Sequence, residues 1–298
     1  MISPELFGYL IPSVVLAPML AAALCLVVSR RPRVQNVITI ATLTGVLVIS
    51  GILLVLTEQH GMHTVQVGGW DAPVGITLVA DRLSALMLCV SAVILLTVII
   101  YAVGQGVRDG DGDQPTSVFL PTYLALAAGL NAAFIAGDLF NLFVGFEMLL
   151  AASYVLLTLG ASQERVRAGV SYTVVSMVSS MVFLLGIALT YSAVGTLNLA
   201  QVATRMAEVP DGLRHTIFAV FLVAFGIKAA VFPLSTWLPD SYPTAPAPVT
   251  AVFAGLLTKV GVYAIIRFHT LVFPGGSMDG VLLVAGLLTM VVGILGAI

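Results

Sequence analysis

The chain contains nine long apolar stretches, most of them close to the roughly 20 residues that a helix needs to cross about 30 Å of hydrocarbon. They lie at about residues 6–29, 34–57, 83–106, 118–136, 139–159, 169–192, 213–238, 247–271 and 280–298. The stretches lack the two-residue alternation of outer-membrane strands, and only helices and closed barrels satisfy the backbone in lipid. The sequence therefore predicts an all-α polytopic membrane protein with about nine transmembrane helices.

Composition and motifs exclude several other classes of protein. Charged residues make up 9% of the chain, where a water-soluble domain has about 25%. The net charge is only −2 and there is no basic tract, which argues against nucleic acid as a partner. Phosphate-loop, GxSxG and HExxH motifs do not occur, and the acidic segment 108–114 reads as a solvated turn. Cys25 and Cys89 are interpreted as structural. No cofactor and no metal are expected.

The connections between the apolar stretches carry two further signals. Residues 64–80 alternate between apolar and polar side chains around an Asp-Ala-Pro turn, which predicts an external β-hairpin. Arginines are concentrated in the loop after the first stretch, at Arg30, Arg31 and Arg33. Because cytoplasmic loops carry an excess of basic residues, we expect that loop to be cytoplasmic and the N-terminus to be external.

Three ionisable residues lie inside apolar stretches. They are Glu147 and the only two lysines of the chain, Lys228 and Lys259. A charge near the bilayer centre costs roughly 2.5 to 3.5 kcal/mol, so such residues usually serve ion pathways or proton relays. Glu147 lies eight residues after Leu139, which places it about 12 Å into its helix. We interpret the three residues as a proton relay within one hydrated channel.

The seventh stretch contains Pro233, which removes a backbone hydrogen bond and clashes with the carbonyl of Ala229. The helix is therefore predicted to break beside Lys228, as helices that build ion sites in transporters often do. Burial favours the neutral amine of a lysine, whereas a nearby carboxylate favours the ammonium form. A lysine at such a break can therefore release and reload a proton as its partner carboxylate changes.

Four other side chains are weaker pathway candidates: Tyr154, Ser176, Tyr263 and His269. Tyr154 follows Glu147 by two helical turns, and Tyr263 follows Lys259 by one. Two of them have an alternative interpretation: Ser176, like Ser179 and Ser180, as a small residue that eases helix packing, and His269 as an interface anchor. The alternative for the relay itself is a static salt bridge between Glu147 and one lysine.

The segments around these residues resemble a known family. They are NLFVGFEMLLAASYVLL, FGIKAAVFPLSTWLPDSYPTAPAPVTAVFAGLLTKVGVYAIIRF and GGWDAPVGITLVADRLSAL. Together they resemble the D-type subunit of the multisubunit Mrp-type cation/proton antiporter, and more widely the antiporter-like subunits of respiratory complex I and membrane-bound hydrogenases. The resemblance covers nearly the whole chain and includes a specific WLPDSYPTAPAPVTA segment followed by a lysine.

The resemblance implies an inverted repeat of five-helix units and matches Glu147, Lys228 and Lys259 to the family's relay. Residues 1–115 are then three N-terminal helices with the hairpin, 116–271 the first proton-translocating unit, and 272–298 the start of a truncated second unit. Gly145 stands where such subunits often carry a bulky aromatic residue, which predicts looser packing or entry of water beside Glu147.

The predicted function is that of a proton-translocating subunit of a Mrp-type Na+/H+ antiporter, a transporter subunit and not an enzyme. Its partners would be other subunits of a hetero-oligomeric complex, protons and a monovalent cation, in a bacterial cell membrane. One alternative is a proton-pumping subunit of complex I or a hydrogenase, where redox chemistry supplies the energy. Another is a membrane scaffold that transports nothing.

Overall fold

The computed structural model describes residues 5–106, 118–273 and 278–296, so the solvated turn predicted at 108–114 lies outside the described part. Within that part the chain is predominantly helical, with one two-stranded sheet. The α-helices are α1 (Glu5–Val27), α2 (Pro32–His60), α3 (Arg82–Gly104), α4 (Phe119–Ile135), α5 (Leu139–Thr158), α6 (Gln163–Val194), α7 (Leu199–Met206), α8 (Asp211–Ala229), α9 (Leu238–Ser241), α10 (Ala247–Val252), α11 (Thr258–Val272) and α12 (Asp279–Leu295).

Seven helical stretches of the described part are long and apolar enough to cross a membrane. One of them combines α10 and α11, which are joined by a π-helical segment, Phe253–Leu257. The other two apolar helices, α4 and α12, have 17 residues each, the lower limit for crossing the hydrocarbon. Each predicted stretch thus contains an apolar helix, and the prediction of an all-α polytopic membrane protein with about nine such helices is confirmed.

Two short strands lie between α2 and α3. The strands β1 (His63–Gln66) and β2 (Thr77–Ala80) pair in antiparallel fashion, and they are shorter than the alternation of residues 64–80 suggested. Val67–Gly69 forms a tight helical turn in place of strand, because two of its residues are glycines with positive φ. The amide of Gly137 donates to the carbonyl of Thr77 at 2.9 Å, which anchors the sheet to the start of α5.

The helices α5, α6, α8 and α11 meet at a cluster of aromatic side chains. Its members are Phe143, Phe146, Phe183, Phe221, Phe225 and Phe268. The rings of Phe183 and Phe225 meet edge to face with centroids 4.9 Å apart, a favourable geometry for aromatic pairs. This cluster packs α5, α6 and α8 together, and Phe146 directly precedes Glu147 on α5.

Gly145 permits a close crossing of α4 and α5. A Cβ atom at Gly145 would lie 2.7 Å from the backbone nitrogen of Ala133, and one at Gly129 would lie 2.5 Å from that of Leu149. Small residues let backbones approach closely in membranes, where packing drives helix association. The expectation that Gly145 loosens packing or admits water is therefore wrong: this glycine seats α5 tightly, two residues before Glu147.

Candidate proton-relay site

Glu147, Ser180 and Lys228 form one hydrogen-bonded cluster, which we call the Glu–Ser–Lys cluster. Ser180 Oγ donates to Glu147 Oε1, and Lys228 Nζ donates to Ser180 Oγ at 3.1 Å. The ammonium nitrogen lies 4.0 Å from the carboxylate oxygen. The Lys228 side chain is only 4% exposed, whereas that of Glu147 is 40% exposed. Two of the three predicted relay residues are thus brought together, through a serine.

Each member of the cluster is set in place by the local structure of its helix. Asp138 caps α5 by accepting a hydrogen bond from the Asn141 amide at 2.6 Å, as expected for a helix N-cap. The α5 helix then carries Glu147 about 12 Å from its first residue, near the middle of the helix. Lys228 lies next to the last residue of α8, where the negative end of the helix dipole stabilises a cation.

The predicted break of the seventh apolar stretch is confirmed. The α8 helix ends at Ala229, and Ala230 adopts a left-handed conformation with φ 53° and ψ 45°. Two carbonyls of the last turn keep partners: the Gly226 carbonyl accepts from the Val231 amide at 2.9 Å, and the Ile227 carbonyl accepts from the Trp237 indole at 3.0 Å. The break therefore leaves the ammonium of Lys228 directed at Ser180.

Phe146 gives Lys228 a second stabilising contact. The Nζ atom lies 5.4 Å from the centroid of the Phe146 ring, within the range of a cation–π interaction. The ring belongs to α5 and directly precedes Glu147, so one turn of α5 supplies both an aromatic face and a carboxylate. These contacts offset part of the cost of burying an ammonium in an apolar bundle.

A small cavity adjoins Lys228. It offers about 20 Å³ of space to the centre of a water molecule, which is enough for one water. Its lining includes Lys228, Ser176, Tyr172 and Trp237. The cavity thus connects the ammonium with a group of hydroxyls further along α6.

Hydroxyl groups continue from this cavity towards the end of α5 and the beginning of α6. Ser176 lies beside the hydroxyls of Tyr154 and Tyr172. Tyr172 in turn shares a 2.9 Å hydrogen bond with Ser153, and its ring meets that of Tyr154 edge to face. The pathway candidates Ser176 and Tyr154 therefore lie in one row of hydroxyl groups that begins at the cavity beside Lys228. We call this row, Ser176, Tyr172, Tyr154 and Ser153, the hydroxyl line.

Lys259 is placed apart from the Glu–Ser–Lys cluster. Its side chain is exposed, and its Nζ donates to the Ala254 carbonyl and to Thr258 Oγ1. Ala254 belongs to the π-helical segment, whose wider turns change the register that a uniform α-helix gives to the eighth apolar stretch. The structure thus brings Glu147 and Lys228 together, whereas the described bonds of Lys259 go to neighbouring residues of its own helical stretch.

Tyr263 belongs to a second polar cluster, in the middle of α11. Its hydroxyl donates to the Phe134 carbonyl at 2.7 Å and accepts from Arg267 at 2.9 Å, so its bonds point away from Lys259. Arg267 also forms a two-point ion pair with Asp81, the residue that caps α3. The ion pair joins α11 to the start of α3, and its two residues lie 186 positions apart in the sequence. Its partners and geometry indicate a structural clamp.

We expect replacement of Arg267 with methionine to destabilise the protein. The guanidinium is 11% exposed and Asp81 is 23% exposed, so the change leaves a carboxylate without its partner in a poorly solvated place. The loss should be about 3 kcal/mol, measured as the free energy of unfolding in detergent. The control is Arg82→Met, because Arg82 pairs with Glu58 where the side chains are 71% and 67% exposed. That change should cost at most about 1 kcal/mol.

The same pair gives this prediction a pH dependence. Burial alone would raise the pKa of Asp81, but the hydrogen bonds and charge of Arg267 hold it below its ordinary value of 3.8. A depressed pKa in the folded state contributes stability above the unfolded pKa, which disappears as the pH falls through the folded pKa. The difference between the native protein and Arg267→Met should therefore shrink below about pH 4; a difference that is constant with pH would contradict this assignment.

His269 lies at the junction of α11 and α12. Its Nε2 atom is 3.0 Å from a carboxylate oxygen of Asp279, and its ring packs edge to face on Phe218 with centroids 5.9 Å apart. The position links the first turn of α12 to α11. No contact described for His269 reaches the Glu–Ser–Lys cluster, so its role as a pathway group stays a prediction.

Comparison with known proteins gives the family of the chain. Residues 136–298, which include the Glu–Ser–Lys cluster, match the model of the NADH:quinone oxidoreductase/Mrp antiporter transmembrane family. The chain belongs to this family. It is 38% identical over 288 residues to the D-type subunit of the Na(+)/H(+) antiporter of Alkalihalophilus pseudofirmus, an alignment that covers 95% of this chain and 57% of that protein.

Solved structures support the same family membership. A chain of the Mrp complex from Dietzia sp. superposes with a TM-score of 0.89 at 34% identity, over 98% of this chain and 54% of that one. A chain of an archaeal membrane-bound sulfane sulfur reductase superposes with a TM-score of 0.83 at 27% identity, over 92% of this chain and 56% of that one. The chain thus spans about half the length of the relatives that it matches, and the resemblance seen in the sequence is confirmed.

Proposed function

We propose that this chain is a proton-translocating membrane subunit of a Mrp-type cation/proton antiporter. The observation that carries the proposal is the Glu–Ser–Lys cluster, in which a carboxylate and a buried ammonium share a hydroxyl within membrane-spanning helices. Intramembrane ionisable pairs of this kind are expensive and are typical of proton pathways. In this proposal residues 116–271 form the translocating unit, and the protein is a transporter subunit, not an enzyme.

The proposed path joins the cluster to the hydroxyl line. A proton would move between Glu147 and Lys228 and then, through water in the adjoining cavity, towards Ser176 and Tyr154. Lys259 is the proposed next station on another branch. Because its side chain is exposed and its described bonds do not include the cluster, reaching it requires further water or polar groups beside the exposed face of α11.

The surroundings of Glu147 support the proposal of partner subunits. Its side chain is 40% exposed, and the same face of α5 presents Phe140, Val144 and Val155, which are also exposed. A carboxylate on an apolar face in mid-membrane is unfavourable when it meets lipid. We infer that another membrane subunit of a hetero-oligomeric complex covers this face and supplies polar groups or water to Glu147.

The cation and the membrane are part of the same proposal. The relative from Alkalihalophilus pseudofirmus is named a Na(+)/H(+) antiporter subunit, which favours Na+ as the exchanged cation. The bacterial relatives and the arginines between α1 and α2 favour a bacterial cell membrane with the N-terminus outside.

A second candidate function is favoured by one of the structural matches. The sulfane sulfur reductase is described as an archaeal respiratory membrane complex, and the family description includes NADH:quinone oxidoreductase. The same cluster could then serve a proton pump that is driven by redox chemistry. The two functions differ in the partners that co-purify and in the source of energy.

The proposed function is tested with the complete complex reconstituted into liposomes. A pH gradient, acidic inside, is imposed with a pH-sensitive dye enclosed, and Na+ is then added outside in the absence of any electron donor. The proposal predicts that Na+ collapses the gradient by exchange for protons. A gradient that ignores Na+, Li+ and K+ but forms when an electron donor and acceptor are supplied would support the redox-driven candidate.

A further inference from the structure

Ser180 separates the two charged groups of the cluster. The 4.0 Å between Lys228 Nζ and Glu147 Oε1 is too long for a hydrogen bond, whereas both atoms are hydrogen-bonded to Ser180 Oγ. A serine hydroxyl has one donor hydrogen and two acceptor positions, so it can accept from the ammonium while it donates to the carboxylate. In this arrangement the Ser180 hydroxyl connects the ammonium to the carboxylate by two hydrogen bonds.

The hydrogen bonding of Ser180 differs from that of many other hydroxyls in these helices. Ser50, Thr173 and Thr190 each donate to the carbonyl four residues earlier in their own helix, the usual arrangement for a hydroxyl in an apolar helix. The described bonds of Ser180 go to two other helices instead, α5 and α8. Its orientation is thus set by the two charged groups.

We propose that Ser180 is a proton-transferring residue of the relay, an inference that rests on the proposed function. The Nζ–H bond of Lys228 breaks as that proton binds Ser180 Oγ, while the Oγ–H bond breaks and its proton binds Glu147 Oε1. The ammonium becomes an amine, the carboxylate becomes a carboxylic acid, and the serine ends with one proton as it began. The reverse transfer restores the ion pair, and no other reactant is needed.

Ser179 provides a matched control for this assignment. It is the neighbouring residue on α6 and is fully buried, and its hydroxyl donates to the Ala224 carbonyl on α8 at 2.8 Å. Ser179 therefore ties α6 to α8 with a bond of ordinary strength without contact to either charged group. A purely structural role for the serines predicts similar effects of alanine at both positions.

The test compares Ser180→Ala, Ser180→Thr and Ser179→Ala in the complete complex reconstituted into liposomes, with assembly checked by co-purification. Ser180→Ala should lower the maximal rate of cation-driven proton exchange by about 100-fold, the lower end of what a positioned proton-transfer group contributes. The cation concentration that gives half the maximal rate should not change. Ser180→Thr should restore most of the rate, and Ser179→Ala should keep it. Equal rates for Ser180→Ala and Ser179→Ala would overturn the proposal.

Two further variants make the outcome independent of folding and of the proposed function. If Ser180→Ala does not assemble, Ser180→Cys keeps the size with a much weaker hydrogen bond, and its rate should fall well below that of Ser180→Thr; equal rates for the two would contradict the bridge. Glu147→Gln is measured in the same assay. If Glu147→Gln loses exchange while Ser180→Ala exchanges normally, only the proton-transferring role of Ser180 is rejected. If both variants exchange normally, the proposed relay is rejected.

Discussion

Replacing Lys228 with methionine is expected to leave the complex assembled and to lower cation-driven proton exchange by about 100-fold or more. Methionine keeps the length and apolar character of the lysine stem but cannot carry a proton. The side chain is 4% exposed and bonds to Ser180, so in the proposed relay its loss removes the group that exchanges a proton with Glu147. The measurement is the initial rate of Na+-driven pH change in liposomes, normalised to the amount of assembled complex.

Lys228→Arg separates a relay from a static scaffold. A guanidinium keeps the positive charge and can still bond to Ser180, but it does not release its proton at any accessible pH. If Lys228 carries protons, exchange is lost in Lys228→Arg as it is in Lys228→Met. If the positive charge only holds helices together, exchange is kept in Lys228→Arg. Normal exchange in an assembled Lys228→Arg complex would contradict a proton-carrying role for Lys228.

Replacing Glu147 with glutamine should also lower the rate of cation-driven proton exchange, by about 100-fold or more. Glutamine has almost the same shape and can still accept the hydrogen bond from Ser180, so helix packing should be unaffected. It cannot take up a proton, and the transfer from Lys228 then has no acceptor. Glu147→Asp keeps the carboxyl group on a shorter side chain and should retain part of the rate.

The matched control for Glu147→Gln is Glu164→Gln. Glu164 lies in the first turn of α6, is exposed and lies outside the cluster, so its replacement should leave the exchange rate unchanged. If both glutamine variants exchange at the native rate, the carboxylate of Glu147 is not part of the path. If both lose exchange, the effect is one of net charge and not of position.

The sequence was sufficient to predict the helical architecture and to locate the intramembrane charges, but not which of them pair. Apolar length alone located the membrane helices, because the lipid fixes how many residues a span needs. Pro233 located the break after Ala229, since a proline inside a helix removes a hydrogen bond wherever it occurs. The cost of an intramembrane charge singled out Glu147, Lys228 and Lys259 alike, without any knowledge of their partners.

Other features depend on contacts between distant segments, and sequence periodicity does not contain them. Ser180 was one of three serines considered on α6, with Ser176 and Ser179, and helix packing was an alternative explanation for all three. Only the meeting of α5, α6 and α8 shows which serine bonds to the charges. Lys259 bonds to Ala254 in a π-helical segment, which a uniform period of 3.6 residues does not anticipate. Arg267 and Asp81 are likewise unpredictable as partners.

Gly145 shows how the same residue is interpreted differently with and without its neighbours. Compared with a bulky aromatic residue, a glycine predicts a gap, and a gap beside Glu147 predicts water. In the folded chain the backbone of α4 occupies that space, with Ala133 in contact. Because Gly145 has no side chain, α4 and α5 can approach closely. This close contact holds the α5 backbone in place two residues before Glu147.

The central claim is that Glu147 takes up a proton when the relay turns over, and infrared difference spectroscopy of the reconstituted complex tests it directly. Spectra recorded before and after a pH step or addition of Na+ should contain a band of a protonated carboxylic acid. The band should be absent in Glu147→Gln and unchanged in Glu164→Gln. A carboxylic acid band that persists in Glu147→Gln, or native spectra without one under conditions of active exchange, would contradict the account.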